Sequence, residues 1–160
     1  MKIIYNLSCI LLLIVFQIIS SHLYCKVCNS FITTQASFFE YKSPQRLNYL
    51  ELSETNYTQF FENPYGRKFE VITSKHAELN CENKLYEKDT FFPGYYWSIC
   101  TCPKCGSHQG WKFTPIESYC YSLEVHNKEE CLHRKPFFGI IKENLTSERN
   151  KERDFKSIEL

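Results

Sequence analysis

Two Cys-x-x-Cys knuckles, Cys25-Lys26-Val27-Cys28 near the start and Cys102-Pro103-Lys104-Cys105 far downstream, constrain this chain more than any other feature. Four thiolates from two such knuckles close a tetrahedron around zinc, because each short loop puts both of its sulfurs on one side of the metal. Any fold for this sequence therefore has to bring the two segments together. The competing reading is disulfide pairing, which gains force if the chain enters an oxidising compartment. Zinc is preferred because metal bound early stabilises the thiolates, and a disulfide inside Cys-x-x-Cys closes a tight loop typical of redox sites. Neither knuckle sits at the start of a helix, the context that lowers a thiol pKa in thioredoxin-like proteins.

The N-terminus points to that oxidising compartment. Lys2 supplies a positive start, Ile10 to Ile19 is apolar apart from Gln17, and Ser20 and Ser21 are small residues where a signal peptidase could cut. The apolar run is shorter than the roughly 18 residues that span a bilayer. The expectation is a cleaved signal peptide over residues 1–21, a secreted product and no membrane contact after cleavage. Two sequons, at Asn56 and Asn144, suit the same route, whereas the triplet at Asn6 falls inside the signal.

What remains is one domain with one core, expected over 22–141, followed by a polar tail over 142–160 rich in charged side chains. The net charge of +1, with no basic run interleaved with aromatics, argues against a nucleic-acid partner. Segments such as Arg67 to Thr73 alternate apolar with polar side chains, and Gly and Pro punctuate the chain at intervals. The fold class is therefore all-β and antiparallel.

Of the other five cysteines, Cys9 lies in the signal, leaving Cys81, Cys100, Cys120 and Cys131. Three pairings are possible, and sequence does not choose among them. Cys81 with Cys100 and Cys120 with Cys131 is preferred, since the first would brace the strand entering the aromatic window and the second would close a loop at about 114–136.

That window, Phe91 to Phe113, holds both tryptophans of the chain. Phe91, Trp97 and Trp111 beside the Phe92-Pro93-Gly94 turn read either as packed core or as the walls of a ligand site.

Taken in order, Cys25-x-x-Cys28, Asn63-Pro64-Tyr65-Gly66, Phe92-Pro93-Gly94-Tyr95-x-Trp97, Cys102-x-x-Cys105, His108-x-Gly110-Trp111-x-Phe113 and Phe137-Phe138-Gly139 resemble the CULT domain, the thalidomide-binding domain of cereblon, also found as stand-alone secreted proteins. The resemblance covers Cys25 to about Ile141. It implies a β-tent, two antiparallel sheets meeting at a steep angle and pinned by one structural zinc ion on Cys25, Cys28, Cys102 and Cys105. It also implies a non-catalytic cage for a cyclic imide or a uracil-like ring: Phe91, Trp97 and Trp111 as walls, Phe113 behind them and Asn63 on a neighbouring loop. Backbone groups of Asp89, Thr90 and Phe91 would meet the imide edge. His108 matches a family position, and His76, His108, His126 and His133 show no ligand spacing among themselves.

Two residues depart from the family pattern: Phe91 stands in place of a tryptophan, and Asp89 in place of a histidine able to donate to an imide carbonyl. An ionised carboxylate only accepts. The expected partner is a small-molecule cyclic imide or a modified peptide terminus, but three aromatics with a carboxylate also suit a quaternary or methylated ammonium. The related methionine sulfoxide reductase B fold raises an enzymatic alternative, which needs a reactive cysteine at the pocket; only Cys100 is near enough in sequence. A third alternative is a protein-binding module that uses the insertion at 114–136.

Overall fold

A computed structural model describes residues 21–47, 57–121 and 127–148 of the chain. Residues 1–20 of the signal segment, Asn56 of the first sequon, His126 and the end of the tail lie outside the described residues. Nine strands form two antiparallel sheets among the described residues. The smaller has the order β2-β1-β9, from β1 (His22–Cys25), β2 (Phe31–Thr34) and β9 (Leu145–Thr146). The larger runs β3-β4-β8-β7-β6-β5, from β3 (Thr58–Glu62), β4 (Lys68–Ser74), β5 (Asn80–Cys81), β6 (Tyr95–Thr101), β7 (His108–Pro115) and β8 (Phe137–Ile141). The only α-helix among the described residues is the short α1 (Lys128–Leu132), capped by Asn127, whose side chain accepts from the Glu130 N–H. No helix among them is long and apolar enough to cross a membrane.

Period-two alternation decides which side chains meet. In β8, Phe137 and Ile141 join an aromatic core with Phe61, Phe69, Val71, Phe92, Tyr95, Trp111 and Phe113. Phe138 and Ile140 face the other way, into a cluster with Cys25, Ile32 and Cys102. A half-buried strand would alternate with polar residues; this one is apolar on both faces because it separates two clusters. Each fully buried Phe contributes about 2–3 kcal/mol of transfer free energy, so the aromatic cluster is the main store of stability on its side of the sheet.

Two glycines make the centre of the larger sheet possible. A Cβ on Gly110 would lie 2.1 Å from the Gly139 carbonyl oxygen, and Gly110 has φ +145°. The β6–β7 register shifts at this point, Cys100 pairing with Gly110 but Thr101 with His108, so Gln109 is an extra residue in a bulge. Strict alternation would turn Gln109 to the same face as Trp111. The bulge turns it instead to Cys25, in the other cluster.

The two disulfides are Cys81–Cys100, which ties β5 to β6, and Cys120–Cys131, which closes the segment between β7 and β8. Of the three pairings open to the sequence, this is the preferred one. The loop after β7 packs back on the Phe92-Pro93-Gly94-Tyr95 turn: a Cβ on Gly94 would strike Tyr119 at 2.5 Å and Arg134 at 2.6 Å, and the Arg134 guanidinium lies 5.5 Å from the Tyr95 ring and 5.6 Å from the Tyr119 ring.

Candidate ligand pocket and metal centre

The knuckles meet. The side-chain sulfurs of Cys25, Cys28, Cys102 and Cys105 all lie within 4.8 Å of one another, with Cys28 to Cys102 at 3.5 Å and Cys25 to Cys105 at 3.8 Å. Zinc bonds of about 2.3 Å to sulfur give a tetrahedron with edges of about 3.8 Å, so the donor set fits one zinc ion with shifts of about 1 Å or less. The two loops share one construction. Cys25 N–H donates to Ser30 O and Asn29 N–H to Cys25 O; Cys102 N–H donates to Ser107 O and Gly106 N–H to Cys102 O. Asn29 at φ +62° and Gly106 at φ +72° take the left-handed conformation that folds each chain back on its knuckle. Burial pushes the Cys28 thiol up to about 11. Burial acts on Cys102 in the same sense, but hydrogen bonds from Ser30, the backbone of Cys105 and Lys104, and Cys28 outweigh it and bring that thiol down to about 6. Four thiolates this close repel one another, and a divalent cation among them removes that repulsion.

On the opposite face of the larger sheet, a cavity of ≈ 400 Å³ is lined by Asn63, Pro64, Tyr65, Lys88, Asp89, Phe91, Trp97, Trp111 and Phe113. Trp111 is set by β7, where it packs edge-on against Phe69 (5.1 Å), Phe91 (5.2 Å) and His108 (5.0 Å). Phe91 stacks on Phe61 at 4.6 Å, and Phe113 is buried at the back. Trp97 is half-buried and stacks on Tyr86 at 4.6 Å. Its indole N–H donates to Lys88 O at 2.9 Å, and Trp97 and Tyr86 exchange two backbone hydrogen bonds at 2.8 and 2.9 Å. The wall thus also fastens the loop that carries Lys88 and Asp89.

Asn63 opens the β3–β4 turn. Its side-chain oxygen accepts from the backbone N–H groups of Tyr65 (3.1 Å) and Arg67 (2.9 Å), so its amide NH₂ is what remains for a guest. Asp89 is exposed, at φ +60°. Thr90 is not in the lining; it borders a neighbouring recess with Gln45, Leu47 and Glu62, and its hydroxyl is turned back on the Phe92 backbone. The backbone edge expected over Asp89 to Phe91 is also narrower than the sequence suggests. The Phe91 carbonyl accepts from Ser43, a fully buried residue whose own N–H donates to the Gln59 side chain at 2.7 Å.

Sequence reasoning missed Pro64, Tyr65 and Lys88 in the lining, and Ser43 and Gln59 behind it. The Asn-Pro-Tyr-Gly turn was visible as a motif, but 94% exposure of Tyr65 is a property of the hairpin tip, not of its residue type. His108 sits between the two sites. Burial holds its imidazole below the usual range, aided by the positive charge of Arg67 and opposed by its bond to the Gly110 carbonyl at 3.0 Å. Cys100, the one candidate for a pocket nucleophile, is fully buried and bonded to Cys81.

No protein-family model matches the chain. Among curated proteins, a stretch of 53 residues is 43% identical to protein cereblon of Gallus gallus, covering 32% of this chain and 12% of that protein. Protein cereblon of Xenopus tropicalis is 40% identical over 55 residues, 34% of this chain and 12% of the relative. That of Danio rerio is 39% identical over 56 residues, 34% and 13%. The matched stretch thus spans about an eighth of the length of these curated relatives. Two antiparallel sheets, a four-cysteine group able to hold one zinc ion and about 40% identity to cereblon over a third of the chain together support a cereblon-like CULT domain.

Proposed function

We propose that this protein is a secreted, non-catalytic receptor for a small ring with an imide-like donor–acceptor edge, a cyclic imide or a uracil-like heterocycle, held against the aromatic walls of the cavity. The observation that carries the reading is the ≈ 400 Å³ cavity walled by Phe91, Trp97 and Trp111. Carbon-bound hydrogens next to carbonyls are polarised and pack well on electron-rich ring faces, while the polar edge needs only a few fixed partners. The Asn63 amide lines the cavity and is available for that edge. A ring of under about ten heavy atoms gains little from area, so affinity is about micromolar. Two disulfides agree with an oxidising compartment, and β1 starts at His22, where the mature chain would begin. Among the described residues no cysteine lines the cavity, and Cys100 is bonded to Cys81, which favours binding over reductase chemistry there.

An ammonium guest is the weaker reading, because Lys88 lines the same cavity as Asp89 and offsets its charge. Titration with glutarimide and, separately, with tetramethylammonium, followed by tryptophan emission, separates the two. Trp97 and Trp111 are the only tryptophans, so both reporters belong to the proposed cage. Saturable change with glutarimide that is lost in Trp97→Ala supports the imide reading. A response to tetramethylammonium alone, or to neither compound, overturns it.

A further inference from the structure

The metal centre carries an outer layer that no ligand count reveals. Each knuckle is followed, after its left-handed residue, by a serine: Asn29-Ser30 and Gly106-Ser107. The two serines reach across the centre. Ser30 Oγ lies 3.2 Å from Cys28 Sγ and 3.0 Å from Cys102 Sγ; Ser107 Oγ lies 3.1 Å from Cys105 Sγ and 3.5 Å from Cys25 Sγ. Each serine thus contacts one sulfur of its own knuckle and one of the other.

Gln109 fixes the direction at Ser107, and at Ser30 the direction follows from the sulfurs, since a thiolate only accepts. Gln109 is fully buried, and its Nε2 donates to Cys25 Sγ at 3.3 Å and to Ser107 Oγ at 2.8 Å. Its Oε1 is buried with no hydrogen-bond partner. An orphaned acceptor is costly, and a buried amide keeps one only when the reverse orientation is worse. Reversal would set the amide oxygen against Cys25 Sγ, and a thiolate has no proton to share with it. Because Ser107 Oγ accepts from Gln109, its own proton goes on to sulfur. The bulge at Gly110 is what admits Gln109 to this side of the sheet.

We propose that Ser30, Ser107 and Gln109 form a shell of hydrogen-bond donors that holds the four cysteines as metal-bound thiolates and protects them from the oxidation that joins Cys81 to Cys100 and Cys120 to Cys131 in the same chain. Pairs within reach of oxidation include Cys28 with Cys102 at 3.5 Å and Cys25 with Cys105 at 3.8 Å. With a peroxide as oxidant, four thiolates, two H₂O₂ and four protons give two disulfides and four waters, and the metal is set free. Cys25 accepts from Gln109 and Cys105 from Ser107, while the single Ser30 hydroxyl proton serves Cys28 or Cys102; each such donor withdraws electron density from the lone pair that attacks the peroxide, so the thiolate is a poorer nucleophile. The three are positioning residues, since none of them touches the metal.

The test uses the full mature chain as Ser30→Ala with Ser107→Ala. Zinc content by elemental analysis comes first: a wild-type protein with less than one zinc and with knuckle disulfides overturns the inference by removing its metal, whatever the pocket binds. In zinc-loaded protein, release under hydrogen peroxide, read with a chromogenic chelator, is expected about tenfold faster in the double variant. In cobalt-substituted protein the sulfur-to-cobalt charge-transfer band is expected to move to longer wavelength, a signature that a purely packing role would not produce, and Ser30→Thr with Ser107→Thr should restore both. Ser30→Ala alone gives the same readouts, at smaller size, if the double variant does not fold. Wild-type release rates with an unmoved band overturn the proposal.

Discussion

Trp97 is the residue at which the two tasks of a cage wall are separable. Its ring face borders the cavity, while its indole N–H holds the Lys88 carbonyl at 2.9 Å and its face away from the guest stacks on Tyr86 at 4.6 Å. Trp97→Phe keeps an aromatic face and the two backbone bonds to Tyr86 but removes the indole donor. A hydrogen bond at a partly solvated site contributes about 0.5–1 kcal/mol net, and the trimmed stack loses a few tenths more. Global stability should therefore fall by about 1 kcal/mol, or about 4 °C in melting temperature for a domain of this size. Affinity should fall further than that figure suggests, because the loop from Tyr86 to Phe91 is then ordered by the guest and no longer beforehand. An additional cost of about 1 kcal/mol for fixing the loop brings the total loss in glutarimide affinity to about tenfold or more. Calorimetric titration of both proteins, with thermal unfolding on the same samples, checks this. Equal affinities with equal melting temperatures would refute the idea that the indole donor preorganises the loop.

Asp89→Asn exchanges an acceptor-only group for one that also donates, and it should raise glutarimide affinity about threefold or more; unchanged calorimetric affinity would remove Asp89 from the specificity argument. Cys120→Ser with Cys131→Ser opens the loop between β7 and β8 and should cost about 3 kcal/mol in the chain-entropy account, a drop of about 10 °C, while guest affinity at a temperature where the variant is folded stays within about twofold. His108 has a folded-state pKa held below its unfolded value, so the unfolded chain takes up the proton first and stability falls with acidification. That contribution is complete above about pH 6.5 and is lost as pH drops toward the folded value; with zinc in excess, denaturant midpoints for His108→Gln should flatten in this window relative to wild type.

Much of the site could be read along the chain because its chemistry is local. Each knuckle is a short loop whose two sulfurs are fixed by their spacing, and the preferred cystine pairs were those that closed nearby segments. Cage walls clustered in one window because β6 and β7 are adjacent strands, so Trp97 and Phe113 are register partners. Ser43 and Gln59 escaped because a polar residue that satisfies a distant carbonyl has no signature of its own. Gln109 escaped for a different reason: period-two reasoning assigns it to the wrong face unless the bulge at Gly110 is known. Thr90 sits beside two lining residues in sequence, yet the backbone turns it out of the cavity wall.

β8 has one further consequence. Phe137 and Ile141 press on the aromatic side of the larger sheet while Phe138 and Ile140 press on the cysteine side, so a single layer of backbone is the partition between the two compartments. Neither compartment can relax without moving the floor of the other. Under the proposed function, linkage makes any effect across this partition reciprocal: a factor by which zinc changes the hold on a ring is the factor by which the ring changes the hold on zinc.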